Sequence, residues 1–287
     1  MLPIYKKEMR TYFTQMMGYV FLAILLLLVG IWFTLINVFG QDGNFQLVLS
    51  NVTIFFFILI PTLTMRLFSE ETRNKTDQLL FTSPLSVQGI VVGKFLAAFS
   101  LFVIGVAATV VLPVIIGMYG ELPVSQIVGT YIGFLLLGMA CIAVGLFISV
   151  LTENQIIAAV GTMAAIFSMF LIEAIALVMP TAPYASLIFV LLIVTAVAAT
   201  WYNAAKNAII AIIIAVVGIG VAVGVYFFNN LIFEGVIVRF LLWLSVFSRF
   251  NSLARGVLSL GDIVYYFSFS ALFIYLTVNV IEKRRWR

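Results

Sequence analysis

Residues 127–151 read IVGTYIGFLLLGMACIAVGLFISVL, a stretch without a single charged side chain. A helix of about 20 apolar residues is long enough to cross the hydrocarbon core of a bilayer. Comparable runs recur along the 287-residue chain, so that 64% of its residues are hydrophobic and 9% are charged. A soluble domain carries about 25% charged residues. The sequence therefore predicts an integral membrane protein and leaves no segment for a folded soluble domain.

The apolar runs predict an all-α fold, a polytopic transmembrane helical bundle that forms a single domain over residues 1–287. We expect eight membrane-spanning helices, at residues 17–39, 47–68, 95–119, 127–151, 156–179, 186–201, 208–228 and 263–281. The run at 186–201 is the shortest of these. Six spans with a re-entrant pair of helices at that point is therefore the alternative.

The basic residues favour one orientation of the bundle. With the N-terminus in the cytoplasm, all but three of the 15 lysines and arginines lie on the cytoplasmic side, and short cytoplasmic loops carry such an excess. The exceptions are Arg239, Arg249 and Arg255. Both termini are therefore expected in the cytoplasm. Because the cations lie next to apolar spans, the net charge of +4 does not indicate nucleic acid as a partner.

Residues 1–16 have the pattern of an amphipathic helix. Apolar and aromatic side chains recur at helical spacing, at Tyr5, Met9, Tyr12, Phe13 and Met16. The cations Lys6, Lys7 and Arg10 lie outside this stripe. The helix is therefore expected to lie in the membrane interface with its cations toward lipid phosphates. The alternative is an irregular cytoplasmic tail.

The cytoplasmic stretch 69–94 reads SEETRNKTDQLLFTSPLSVQGIVVGK. Its first half mixes charges of both signs, as a solvated helix surface does. Leu79, Leu80 and Phe81 then form an apolar tip, and Ser83-Pro84 is a helix start. Such a tip suits the groove of a partner protein. It would equally rest on lipid, and the residues alone leave both interpretations open.

Glu173 is the carboxylate that lies deepest in a predicted span. An unpaired charge at that depth costs several kcal/mol, so the residue either faces a substrate or proton pathway or makes a structural hydrogen bond between helices. The sequence leaves these alternatives open.

Residues 229–262 are neither a clean span nor a soluble loop. Glu234 and Arg239 lie within an apolar run. Asn251 and Ser252 are residue types that commonly cap the start of a helix, so a second short helix could begin there. We expect two re-entrant helices in the outer leaflet before the last span. A ninth span is the alternative, but it would place the basic C-terminus outside and break the charge rule.

The stretch 69–94 resembles the loop between the second and third spans in permeases of type-2 ABC exporters. The matching residues are Glu70, Arg73, Thr76, Leu79, Leu80, Thr82, Ser83, Pro84, Leu85, Ser86, Ile90, Val91, Gly93 and Lys94. The sequence departs from that pattern at Asn74-Lys75 and at Asp77. A second group of residues resembles the gliding-motility and copper-maturation branch, namely Phe250, Ala254, Arg255, Gly256, Val257, Leu260, Asp262, Glu282, Arg284, Arg285 and Trp286.

The resemblance implies a permease in the bacterial cytoplasmic (inner) membrane that dimerises with a second copy or a homologous permease. It also implies a dimer of separate ABC ATPase subunits, which contacts the amphipathic helix and the cytoplasmic loop. In the helix those contacts fall on Lys6, Lys7, Arg10, Tyr12 and Phe13. In the loop they fall on Glu70, Arg73, Thr76, Asp77, Leu79, Leu80, Phe81 and Thr82.

The sequence lacks the phosphate-binding motif G-x-x-x-x-G-K-[ST] and contains no histidine. We therefore expect no enzyme activity, cofactor or metal site in this chain, and ATP and magnesium in the partner. The leading hypothesis is the permease subunit of an ATP-driven exporter. An ATP-driven anchor that acts on an extracytoplasmic subunit fits the sequence as well. A proton-linked secondary transporter that uses Glu173 is the third hypothesis, and it lacks the expected inverted repeats.

Overall fold

The computed structural model describes residues 1–76, 86–120, 122–206 and 208–285. The helices within these ranges are α1 Leu2–Thr14, α2 Met16–Phe33, α3 Phe45–Thr53, α4 Phe56–Thr64, α5 Ser69–Arg73, α6 Val87–Ala108, α7 Val111–Gly117, α8 Val124–Leu151, α9 Gln155–Val178, α10 Pro183–Ala205, α11 Ala208–Phe228, α12 Val236–Leu244, α13 Val246–Ala254 and α14 Leu260–Arg285. A π-helical turn, Thr34–Phe39, extends α2, and a 3₁₀ turn, Asn230–Phe233, precedes α12. The described ranges contain no strand, which confirms the predicted all-α fold.

Seven helices in the described ranges are long and apolar enough to cross a membrane, and the count rises to nine if each of two broken pairs is one span. The predicted eight lies within this range. The predicted sixth span is α10, whose 23 residues remove the shortness that suggested the six-span alternative. The polytopic helical bundle is therefore confirmed.

The predicted second span is not one continuous helix. It consists of α3 and α4, which meet at Ile54-Phe55 with a bend of 63°. Pro61 is not the cause of this bend, because it lies six residues beyond the break, inside α4. At the break the amide of Phe55 donates to the carbonyl of Val52, a three-residue spacing that replaces the α-helical one.

The break between α6 and α7 does have a proline nearby. The ring of a proline clashes with the carbonyl group four residues earlier, and for Pro113 that residue is Thr109, where α6 ends. The Thr109 hydroxyl donates to the carbonyl of Val106 at 2.7 Å. The third span therefore consists of two helices, and it begins at Val87, eight residues before the predicted start.

The structure divides into two compact units, and unit 1 comprises residues 1–170 and 246–287. The centre of unit 1 is α8. Of the 18 most apolar consecutive residues in this helix, 78% are buried. Helices α4, α6, α13 and α14 pack around it. The rings of Phe56, Phe102 and Phe134 meet beside α8 with centroids 4.9–5.9 Å apart, and all three side chains are fully buried.

Two glycines of α8 permit a close approach of α13. A β-carbon on Gly129 would collide with the carbonyl oxygen of Leu253, and one on Gly133 would lie 3.1 Å from the side chains of Leu253 and Phe250. The four-residue spacing of these glycines is the one that lets helices pack closely. Gly220 and Gly224 have the same spacing, but no atom lies within 4 Å of their β positions.

Replacing Gly129 with leucine should destabilise the protein by about 1–3 kcal/mol, because the added atoms would displace α13 from α8. Gly220→Leu in α11 is the matched control, since its surroundings are open. Thermal unfolding of the two purified variants should show a lower midpoint for Gly129→Leu alone. Equal midpoints would contradict the packing of α13 on α8.

Unit 2 comprises Leu171–Ser245. Helices α10 and α11 pack along each other, with Gly218 against Val194. Helix α12 lies on α10, where the rings of Phe189 and Phe240 are 5.5 Å apart. Of the 18 most apolar consecutive residues in each helix, only 11% are buried in α10 and 6% in α11. Their outer faces are therefore left to lipid or to another protein.

Residues 229–262 contain two short helices, as predicted, but their boundary differs from the predicted one. The chain leaves α12 at Ser245, and α13 begins at Val246. Asn251 and Ser252, which we expected to cap the second helix, lie in its interior. The second helix therefore starts at least six residues earlier than the sequence indicated.

Candidate functional site

A buried lysine joins three helices at one end of the bundle. Lys94, in α6, is 1% exposed, and its Nζ lies 2.9 Å from Glu8 Oε1 in α1 and 2.9 Å from Glu71 Oε2 in α5. The ammonium group also donates to the carbonyl of Leu67 at 2.6 Å. Burial of a charge is costly unless it is paired and hydrogen-bonded. Lys94 therefore needs both carboxylates at this place.

The same two carboxylates reach a second cation, Lys7. Its Nζ lies 3.0 Å from Glu71 Oε1 and 3.9 Å from Glu8 Oε1. Partial burial lowers the pKa of Lys7, but the charge and hydrogen bond of Glu71 outweigh this effect, and the pKa is raised above its usual value. We call Lys7, Glu8, Glu71 and Lys94 the Lys94 cluster. With two positive and two negative charges, it is neutral as a whole.

Helix α1 is packed against α6 along one face. Gly93 makes room for it, because a β-carbon there would lie 3.1 Å from Ile4. The Tyr5 hydroxyl donates to Ser100 Oγ at 3.2 Å, and the Tyr12 hydroxyl donates to the carbonyl of Leu63 at 3.1 Å. Burial of this phenol raises its pKa, with a smaller contribution from the nearby Glu8. Helix α1 is therefore fixed to the bundle by contacts on both sides of Glu8.

Helix α5 is held from the other side by α8. Ser149 Oγ accepts hydrogen bonds from the amides of Phe68 and Ser69 at 3.0 and 3.3 Å. The ring of Phe68 lies 5.0 Å from Lys94 Nζ, within the range of a cation–π contact. These contacts fix the start of α5 relative to α6 and α8. The first residues of the stretch 69–94 are therefore anchored to the bundle.

The structure brings together some of the residues predicted as ATPase contacts. Lys7 belongs to the Lys94 cluster, Tyr12 lies next to it, and Glu70 pairs with Arg66 at 3.0 Å. Four others are exposed outside the cluster, namely Lys6, Arg10, Phe13 and Arg73. Thr76 is exposed, and its hydroxyl donates to the carbonyl of Glu71 at 3.3 Å. Asp77, Leu79, Leu80, Phe81 and Thr82 lie outside the described residues.

Sequence reasoning missed Glu8. Of the predicted stripe, Tyr5 and Tyr12 contact the bundle through their hydroxyl groups, and the orientation of the stripe toward the membrane stays a prediction. The buried residues of α1 are Ile4 and Glu8, which lie on one face with Tyr12 at a spacing of four residues. The sequence does contain a signal for Glu8, because it is the one carboxylate among the three cations of residues 1–16.

Glu173 lies in α9, in the part that belongs to unit 2, and it is half-buried. The pathway role of Glu173 stays a prediction.

An ion pair between α13 and α14 involves the second group of residues identified by resemblance, which we call the C-terminal motif. Arg249 Nη1 lies 2.8 Å from Asp262 Oδ1, and its guanidinium lies 4.0 Å from the Tyr265 ring centroid. The Thr130 hydroxyl of α8 also donates to the carbonyl of Ala254 at 3.3 Å. These contacts attach α13 to α8 and α14. We therefore interpret Ala254 and Asp262 of this motif as structural.

Comparison with protein families identifies the chain. The family profile described as "ABC-2 family transporter protein" matches residues 13–171, more than half of the sequence. This match begins in α1, includes Glu71 and Lys94, and ends in α9. Neither a curated protein nor a solved structure gave a match. Association with an ABC ATPase subunit is a property of this family. The chain therefore belongs to the ABC-2 transporter family, as an integral membrane permease component of an ABC transporter.

Proposed function

We propose that the chain is the permease subunit of an ABC exporter in the bacterial inner membrane, with both termini in the cytoplasm. A separate ATPase dimer binds ATP with magnesium and hydrolyses it, and the permease pairs with a second permease chain. The observation that supports this proposal is the Lys94 cluster. It ties the two segments assigned to the ATPase by resemblance, α1 and the start of the loop 69–94, to one transmembrane helix.

The cluster provides a route for coupling. Its buried ammonium contacts α1 and α5 at 2.9 Å each, so neither helix can shift far without breaking an ion pair. Helix α6 in turn packs on α8 and α14. An ATPase that closes beneath the loop would therefore move α1, α5 and α6 together. Such rigid-body motion is a common way of transmitting domain closure.

The finer assignment is to the gliding-motility and copper-maturation branch. It is supported by the C-terminal motif, in which Asp262 pairs with Arg249 and Phe250 packs near Gly133. The export direction is supported by the resemblance of the loop 69–94 to exporter permeases. An extracytoplasmic subunit that responds to ATP, with no transported cargo, would favour the force-transmitting anchor instead.

ATP hydrolysis should require the partner subunit. The purified permease should show no vanadate-sensitive hydrolysis, because the phosphate-binding motif is absent from the sequence. Activity should appear when the permease is co-purified with an ABC ATPase encoded beside its gene. The same ATPase purified alone is the control, and its rate should change by at least several-fold in the complex. Hydrolysis by the permease alone would contradict the proposal.

A further inference from the structure

Helix α1 has an apolar face that the bundle does not cover. The residues of α1 that are buried against the bundle are Ile4 and Glu8. Leu2, Met9 and Phe13 follow one another at spacings of seven and four residues, which places them together on another face of the helix. Leu2 is 66% exposed, Phe13 is 37% exposed, and Met9 is half-buried. We call these three residues the apolar strip of α1.

The apolar strip continues into the exposed surface of the first membrane span. The ring of Phe13 lies edge-on to the ring of Tyr19 in α2, with centroids 6.1 Å apart. Tyr19 and its neighbour Val20 are themselves exposed, by 57% and 43%. Tyrosine side chains are enriched at the level of the lipid head groups, where a span enters the bilayer. The bilayer that surrounds α2 is therefore in a position to cover the apolar strip as well.

Two cations with no acidic partner lie along the edge of the strip. Lys6 and Arg10 are exposed and stand one helical turn apart. Among the described residues neither side chain has an ion pair, whereas Lys7, the third cation of α1, is paired with Glu71 and Glu8. Glu8 is the one acidic residue of α1. The edge of the strip therefore carries two positive charges that α1 itself does not balance.

We infer that this edge of α1 binds the phosphate of an anionic membrane lipid, whose acyl chains cover the apolar strip. Lys6 and Arg10 donate hydrogen bonds to the phosphate oxygens from adjacent turns. A lipid with a net negative charge balances the two cations, whereas the ammonium group of a zwitterionic lipid offsets their attraction. Cations beside the apolar face of an interfacial helix bind anionic lipids in this way.

The ATPase is the competing occupant, because the resemblance assigns Lys6 and Arg10 to it. The apolar strip beside the two cations and its continuity with α2 favour the lipid. The lipid site is independent of the proposed ATP coupling, which depends on the Lys94 cluster on another face of α1.

The test compares two lipids with the same acyl chains, anionic phosphatidylglycerol and zwitterionic phosphatidylcholine. The full-length permease, without ATPase, is incubated with an equimolar mixture, and native mass spectrometry measures the retained ratio. Wild type should retain an excess of phosphatidylglycerol. The double variant Lys6→Gln with Arg10→Gln should lower the ratio about tenfold, which corresponds to about 1.4 kcal/mol for the two cations together. An unchanged ratio would overturn the inference. Both side chains are exposed, so the variant should unfold at the wild-type temperature.

Arg73→Gln with Lys75→Gln is the matched control. It removes the same charge from two exposed residues at the end of α5 and just beyond it, away from the apolar strip. This variant should keep the wild-type ratio of the two lipids. An equal fall in both double variants would show an effect of net charge alone and refute the site. Loss of ATPase capture by Lys6→Gln with Arg10→Gln, at an unchanged lipid ratio, would assign the two cations to the ATPase instead.

Discussion

Replacing Lys94 with methionine should destabilise the protein strongly and release α1 and α5 from α6. Methionine keeps much of the length of the side chain, but it leaves Glu8 and Glu71 without their buried cation. Removing one partner of a buried ion pair costs about 3–5 kcal/mol. In a protein of this size about 1 kcal/mol lowers Tm by roughly 2–4 °C. A fall of about 6–20 °C is therefore expected in a thermal-unfolding experiment.

Lys7→Met is the matched control, because it removes a cation from the same two carboxylates. Its side chain is 55% exposed, and exposed ion pairs contribute about 0–1 kcal/mol. A double variant, Lys94→Met with Glu71→Gln, should recover part of the lost stability, since it leaves Lys7 with one carboxylate and makes the cluster neutral again. If Lys94→Met and Lys7→Met unfold at the same temperature, the buried cluster does not hold the helices together.

The second large effect is expected at the apolar tip, which the resemblance assigns to the ATPase. Leu80→Asp should abolish capture of the ATPase, because burial of a leucine contributes about 1.5–3 kcal/mol and the variant buries a carboxylate instead. A loss of 3 kcal/mol is more than a hundredfold in affinity, since about 1.4 kcal/mol corresponds to a factor of ten. The measurement is recovery of the ATPase by tagged permease at equal membrane abundance.

Leu260→Asp tests whether a new charge on a leucine elsewhere in the chain has this effect. Leu260 is 79% exposed at the start of α14, outside the loop 69–94, and its replacement should leave ATPase capture unchanged. If the tip rests on lipid, the carboxylate introduced by Leu80→Asp would turn to water and the complex would survive. Full recovery of the ATPase with Leu80→Asp would therefore refute the docking role.

Composition and the positions of the apolar runs were sufficient to predict the membrane fold. The bilayer requires about 20 apolar residues for each helix, and this requirement acts locally, so that a window of sequence reveals it. The break at Ile54-Phe55 has no such local signal, because neither glycine nor proline stands there. The α3–α4 boundary depends on packing around α8, which involves residues distant in sequence.

The site was predicted only in part for the same reason. The loop 69–94 was identified from its own residues, but Lys94 pairs with Glu8, which is 86 residues away. The close contact of Ile4 with Gly93 depends on the shape of α6. No pattern within α1 specifies that shape.

The order of the Lys94 cluster along the chain has a consequence for biosynthesis. A polypeptide is made and begins to fold from its N-terminus, and both acidic partners, Glu8 and Glu71, precede Lys94. Each carboxylate has therefore been translated before the cation of α6 leaves the ribosome. The ammonium group can be neutralised as soon as α6 enters the membrane, without waiting for α8 or α14. In a chain of reversed order, a lone cation would have to remain in the nascent bundle until its partners were synthesised.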